Sequence, residues 1–364
     1  MVKKRLALLI LSTAMLACTG CSALPNKDFA DDDIVASVED VNMDYAAACT
    51  YTKMMQAETY SYIKSMISSI DSVPSNLWGQ KMEDSKKTYG EQFNETSLNA
   101  IKDILIANLH KEDYGIEYTK EDKSKCEEVA NDLIANTNKK TLDAMNADYE
   151  SVMDVLELMT IEAKMKNKIM NDTVVDLTEK DIAQATFCYL NTKNEKEAKK
   201  IIDELNDGLD FDTVTKDHEL TPEKASYTVA SPEYDIYDEK MLDTAVNLTE
   251  GESDYYLTDD GAVVIYMDSL NDKDATNAKK EELTLKEKNA AYSNMLEGWK
   301  LQDKVAINDD AWDTIKASDK IVFEKKESEM EDNGENGGVI SSGDTTTSID
   351  VTASDGGEVN ASVY

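Results

Sequence analysis

The chain has 364 residues, enough for two domains with tails, and its 41% hydrophobic content is that of an ordinary globular protein. Its charge is not ordinary: 74 acidic against 38 basic residues leave a net charge of −36. A surface that acidic repels phosphate backbones and anionic headgroups, which argues against nucleic-acid binding and favours solubility and basic or unfolded partners. Five cysteines and two histidines are too few and too scattered for a zinc site, a disulfide framework or a Ser-His-Asp triad. No glycine-rich phosphate loop occurs, so no cofactor and no metal are expected.

The first 21 residues read as an address. Lys3, Lys4 and Arg5 precede an apolar run, Leu6 to Leu16, that is too short to span a membrane as a stable helix. It ends in Ala17-Cys18-Thr19-Gly20-Cys21-Ser22. This resembles a bacterial lipoprotein signal, in which a cysteine after a small residue is diacylated and becomes the new N-terminus. Gly20 before it and the polar segment after it favour Cys21, with Cys18 as the alternative. The resemblance implies palmitate-type lipidation and a chain held at the extracytoplasmic face of the cell membrane, as an anchor and not a span.

Residues 22–33 form a polar tether. Ile34 to Val38 alternates as a short strand, and Glu39-Asp40 follows as a turn. From Asp44 a helix carries Met54, Met55, Tyr60, Ile63 and Met66, and a loop with Pro74, Trp78 and Gly79 interrupts it. Ser97 is placed to cap the next helix, whose apolar residues recur at three and four from Ala100 to Leu109. Gly115 reads as a helix C-cap, and Thr119 with Asp122 as the start of another helix. Two further helices are expected, Glu127 to Asn136 and a Met-rich one from Tyr149 to Ile169. Methionines at helical spacing are usually core, although their adaptable side chains also suit contacts with varied apolar partners.

Residues 181–270 read as a small α/β unit. A strand from Ala185 to Leu190 precedes a helix from Glu195 to Asn206, a Gly208 turn, a second helix from Asp212 and a third near Lys240 to Ala245. The β-branched run Gly261 to Met267 closes it. Residues 271–279 are polar, and a helix from about Leu283 to Lys304 leads into Val305-Ala306-Ile307-Asn308-Asp309-Asp310. The stretch 328–364 is rich in Gly, Ser, Thr and acid, and cannot bury enough apolar surface to order itself.

The order of these pieces resembles the PrsA/SurA family of extracytoplasmic foldases. The opening Val35-Ala36-Ser37-Val38, the Gly115-Ile116 and Thr119 passage, the bridge Val174-Val175-Asp176-Leu177-Thr178-Glu179 and the closing Val305 to Asp310 carry the likeness. The central unit resembles a parvulin-type peptidyl-prolyl isomerase. The fold this implies is α+β and mostly helical. A discontinuous SurA/trigger-factor-like chaperone lobe (34–175 with 280–325) would hold an inserted parvulin-like α/β domain (181–270).

Parvulins place a histidine on the first strand and another on the last. Here those places are held by Phe187 and Val263, and the family's acid falls near Leu220 or Thr221. Residues 222–239 hold none of the glycines the family has there. The resemblance therefore implies a degenerate isomerase without catalytic residues, in a foldase that binds unfolded or nascent secreted proteins. The alternative it leaves open is an active isomerase with a divergent pocket. Cys188 is expected to be a buried, inert thiol and His218 a surface residue.

Overall fold

The computed structural model describes residues 29–66, 76–82, 85–232 and 238–317. The proposed lipidation positions Cys18 and Cys21, most of the tether and the 328–364 tail lie outside the described residues. The chain is mostly helical with small antiparallel sheets. In order come β1 (Ile34–Val38), β2 (Val41–Asp44), α1 (Tyr45–Met66), α2 (Tyr89–Leu109), α3 (Lys120–Asn136), α4 (Lys139–Met145) and α5 (Tyr149–Asp172). Then follow α6 (Glu179–Ile182), β3 (Gln184–Thr192), α7 (Glu195–Asn206), α8 (Phe211–Asp217), β4 (Glu223–Thr228), α9 (Glu239–Ala245), β5 (Ser253–Thr258) and β6 (Gly261–Ser269). α10 (Lys273–Gln302), β7 (Ala306–Ile307) and α11 (Asp309–Ile315) close the described chain. The described residues form two compact units, one of 29–172 with 292–317 and one of 173–291.

In the helical unit, β1 pairs with β2 and β7 in a three-stranded antiparallel sheet of order β2-β1-β7. The β1–β2 turn is made by Glu39 and Asp40, and Glu39 takes the left-handed conformation (φ 48°). The sheet's inner face (Val35, Met43) joins α1, α2, α5, the end of α10 and α11 around one apolar cluster that includes Trp299 and Trp312.

Helix starts follow side-chain chemistry. Thr88 accepts from the Glu91 N–H while the Glu91 carboxylate accepts from the Thr88 N–H, so α2 begins at Tyr89. Ser97, expected as the cap, lies buried within the helix instead. Thr119 and Asp122 form the same reciprocal pair at the start of α3, which runs unbroken through the segment read as a separate helix from Glu127. α4, not foreseen, is a seven-residue helix capped by Asn138. α10 starts about ten residues before the expected Leu283. Asp272 accepts from the Asp274 and Ala275 N–H groups (3.0 Å each), and the good helix formers Ala278, Lys279, Lys280, Glu281 and Glu282 carry the helix on.

The second unit is built on a four-stranded sheet of order β4-β3-β6-β5, antiparallel at every pairing. It is therefore α+β, although the order of its elements reads as α/β. Strict alternation gives the two central strands one apolar residue set per face. On one face Leu190, Ala262 and Val264 pack on Ala198, Ile201 and Val214 of α7 and α8. On the other, Ala185, Phe187, Tyr189, Val263, Ile265 and Met267 pack with Ala225 and Tyr227 of β4 and Met241, Leu242 and Ala245 of α9. Gly261 is required where β6 begins, because a Cβ there would stand 2.1 Å from the Thr192 carbonyl oxygen.

Candidate functional site: the aromatic face of the four-stranded sheet

Phe187 and Val263 belong to the same face of the sheet. In register Phe187 lies opposite Met267, whereas Val263 lies between Asn191 and Tyr256. The two share a face without being direct partners. Phe187 is 0% exposed and Val263 5%, so both are core residues. The Phe187 ring sits 6.4 Å from that of Tyr189 and 6.3 Å from that of Tyr227, tilted by 48° and 46°. Neither residue can accept or donate a proton.

The polar groups that reach this face are phenols and, at the edge on β4, the Glu223 carboxylate. Tyr189 Oη donates to Glu223, its partner in register on β4. Tyr227 packs in the face and Tyr256 at its margin. Burial raises the Tyr227 hydroxyl above its ordinary value. It pushes Tyr256 up to about 12, and the nearby Asp238 charge adds to that. Phenols held there stay protonated near neutral pH and are poor proton carriers. Tyr227 was missed because β4 lies in the stretch noted only for its missing glycines. The signal was available in Ala225-Ser226-Tyr227, which alternates as a strand should.

Leu220, near which the family's acid would fall, is half-buried in the opposite cluster against α7 and α8. Cys188 also faces that side. Burial, with the Asp268 charge adding, pushes its thiol up to about 11, which keeps it protonated and unreactive at neutral pH. Close to it, Tyr266, its partner on β6, stacks on Phe211 (4.6 Å, 16°). His218 is not a surface residue. Its side chain is 8% exposed and its Nε2 lies 2.8 Å from Glu204 Oε2, because α8 ends there packed on α7.

In the helical unit the Met-rich helix α5 is committed to packing. Met165 is fully buried, and Met159 and Met153 are half-buried against two clusters. Glu162, on the same helix, accepts from Tyr292 Oη (2.8 Å), and Lys300 of α10 lies 2.8 Å from Asp103 of α2. Burial raises both the Glu162 and the Asp103 carboxyls. Large apolar side chains left exposed in this unit include Tyr62, Met295 and Leu301. Among the described residues no group of His, Cys, Asp and Glu side chains could hold a metal ion, and no helix is long and apolar enough to cross a membrane.

No family model and no curated protein matches the sequence. Among solved structures, one similar chain comes from work describing the virulence factor PEB4 and the periplasmic protein Cj1289 as two structurally related SurA-like chaperones of Campylobacter jejuni. The identity is 11%, the match covers 75% of this chain and 98% of that one, and the TM-score is 0.26. Another is PrsA from Bacillus subtilis, at 16% identity, with 62% of this chain and 92% of that one covered and a TM-score of 0.23. Both overlays are too loose to establish a shared fold.

Proposed function

We propose that the protein is a lipid-anchored foldase-like chaperone of the extracytoplasmic membrane face, which holds unfolded secreted chains and does not catalyse prolyl isomerisation. In this reading Cys21 (or Cys18) carries the lipid, residues 34–175 with 280–325 form the chaperone lobe, residues 181–270 are the parvulin-like insert, and 328–364 are a solvated tail. The reading rests on the order of sequence motifs from Val35 to Asp310. Its acidic surface suits basic or unfolded polypeptides and repels nucleic acid.

The observation that carries the second half of the proposal is the buried, apolar state of Phe187 and Val263. An isomerase must lower a barrier of roughly 20 kcal/mol to rotation about the X–Pro bond, using polar groups that favour the twisted amide. At these two strand positions there is instead a sealed core. The phenols of Tyr189, Tyr227 and Tyr256 favour an alternative, an isomerase that uses hydroxyl donors.

A protease-coupled proline-peptide assay separates the two. The proposed function gives the uncatalysed rate, whereas a faster rate that is lost in Tyr189→Phe establishes the alternative. Suppression of aggregation of a denatured secreted protein tests the holding activity itself.

A further inference from the structure

The helical unit grips the chain at its first described residues. The Phe29 ring stacks on Tyr45 at the start of α1 (5.6 Å, 26°) and packs against the main apolar cluster. Two residues on, the Asp31 carbonyl accepts from the Ala46 N–H (3.1 Å), and the Asp31 carboxylate accepts from Asn146 Nδ2 in the α4–α5 loop (3.1 Å). Asp33 closes the turn by accepting from the Ala30 N–H at 2.8 Å. Thr50 of α1 donates to the Asn146 carbonyl (3.1 Å), so residues 29–33, the start of α1 and the α4–α5 loop share one end of the unit.

Under the lipid-anchor reading, on which this inference rests, Cys21 sits at the lipid headgroups. Eight Cα–Cα steps separate it from Phe29, at most about 29 Å at full extension. Anchoring at Cys18 would raise that limit to about 40 Å. Without the grip at 29–33 a tether from Cys21 would run on to Ile34, where β1 begins, and reach about 47 Å. From Thr50 to Tyr62, α1 carries the chain about 18 Å along its axis from this end. Tyr62 is 63% exposed there.

The gripped end is acidic. Asp31, Asp32, Asp33, Asp148 and Glu150 are exposed on it. Burial raises the nearby Asp154 carboxyl, and the charges of Asp44, Glu157, Glu150 and Asp148 add to that. An anionic bilayer repels such a face over about a Debye length, about 10 Å at 0.1 M salt, which draws the tether out.

We propose that residues 29–33 are a membrane-orienting seat: they fix the tether root to the start of α1 and the α4–α5 loop, so that this acidic end faces an anionic bilayer at a short stand-off and the Tyr62 end of α1 points outward.

The lipidated protein extracted from membranes and reconstituted in phosphatidylcholine vesicles tests this, with an energy-transfer acceptor on the headgroups. The donor is carried on Glu150→Cys or on Tyr62→Cys; Cys49, Cys126 and Cys188 are buried and escape labelling. Stronger transfer is expected from position 150, with position 62 farther from the headgroups by up to about 18 Å. Phosphatidylglycerol vesicles at low salt are expected to weaken the transfer from position 150, and added salt to restore it. Phe29→Ala combined with Asp31→Ala, which frees the seat, is expected to shrink the difference between the two positions. Equal transfer from both positions, or stronger transfer from 62, overturns the proposal. So does transfer from 150 that rises on anionic vesicles, or a difference that the double variant leaves unchanged. Flotation separates the two readings: a protein that does not float with the vesicles refutes the anchor and the seat with it, whereas one that floats with equal transfer refutes the seat alone.

Discussion

Replacing Phe187 by Ala asks whether the aromatic face is core or cleft. The side chain is 0% exposed, and Phe→Ala at such a site costs about 3–5 kcal/mol in lost transfer energy and cavity formation. The two flanking rings at 6.3 and 6.4 Å lie near the far end of the range for aromatic pairs, so they add only about 0.5 kcal/mol each. A total of about 5 kcal/mol multiplies the opening equilibrium of the sheet by roughly five thousand. The assay is native-state hydrogen exchange of the β3 and β6 amides, whose protection factors should fall by that factor. A loss of under about 1 kcal/mol would mean that the ring lines an accessible cleft and not a sealed core, and would refute the reasoning that leads from burial to the absence of isomerase chemistry.

Gly261→Ala forces a Cβ to within 2.1 Å of the Thr192 carbonyl oxygen, a backbone atom that cannot swing aside. A loss of about 3 kcal/mol or more in urea denaturation is expected, and a wild-type midpoint would contradict it. Asp122 is 3% exposed and takes bonds from the Thr119 N–H and hydroxyl and from Lys164 (2.6 Å). Burial raises its carboxyl, but the Lys164 and Thr119 bonds outweigh that and leave it below its ordinary value. Its stabilisation is therefore present above about pH 4 and lost as pH falls through the lowered value. Asp122→Ala should cost about 2–4 kcal/mol at neutral pH by denaturation, and little in strong acid. Glu162 has the opposite sign. Burial raises its carboxyl, so the folded state holds the proton longer than the unfolded chain, and this stabilisation is present at about pH 4 and lost as pH rises through the raised value. Glu162→Gln keeps an acceptor for Tyr292, so it should raise the denaturation midpoint near neutral pH and lose that advantage near pH 4.

Local chemistry was the most legible part of the fold. Thr119 with Asp122, Gly115 in the left-handed conformation (φ 64°) and the alternating β3 and β6 strands each announce themselves within a few residues. Element boundaries set by a residue outside the apolar pattern were harder to read. Ser97 matches a cap as well as Thr88 does, but only Thr88 has a Glu three residues on to answer it. The Asp272 cap starts α10 in a polar stretch with no apolar stripe to mark it. At the candidate face, the apolar character of Phe187 and Val263 was visible in the sequence. The place of Tyr227 was not, because it joins the face through pairing of β4 with β3, a contact about 40 residues long in sequence that no local period encodes. The burial of His218 on Glu204 depends in the same way on how α8 meets α7.

The central claim is that the chain holds unfolded polypeptides without turning over proline bonds. Both halves can be read in one experiment, in which a denatured secreted protein whose refolding is limited by proline isomerisation is diluted into buffer with equimolar purified protein. Light scattering from aggregation is expected to be suppressed while the slow refolding phase keeps its uncatalysed time of tens to hundreds of seconds. Undiminished scattering would contradict the holding activity, and an accelerated slow phase would contradict the loss of isomerase chemistry.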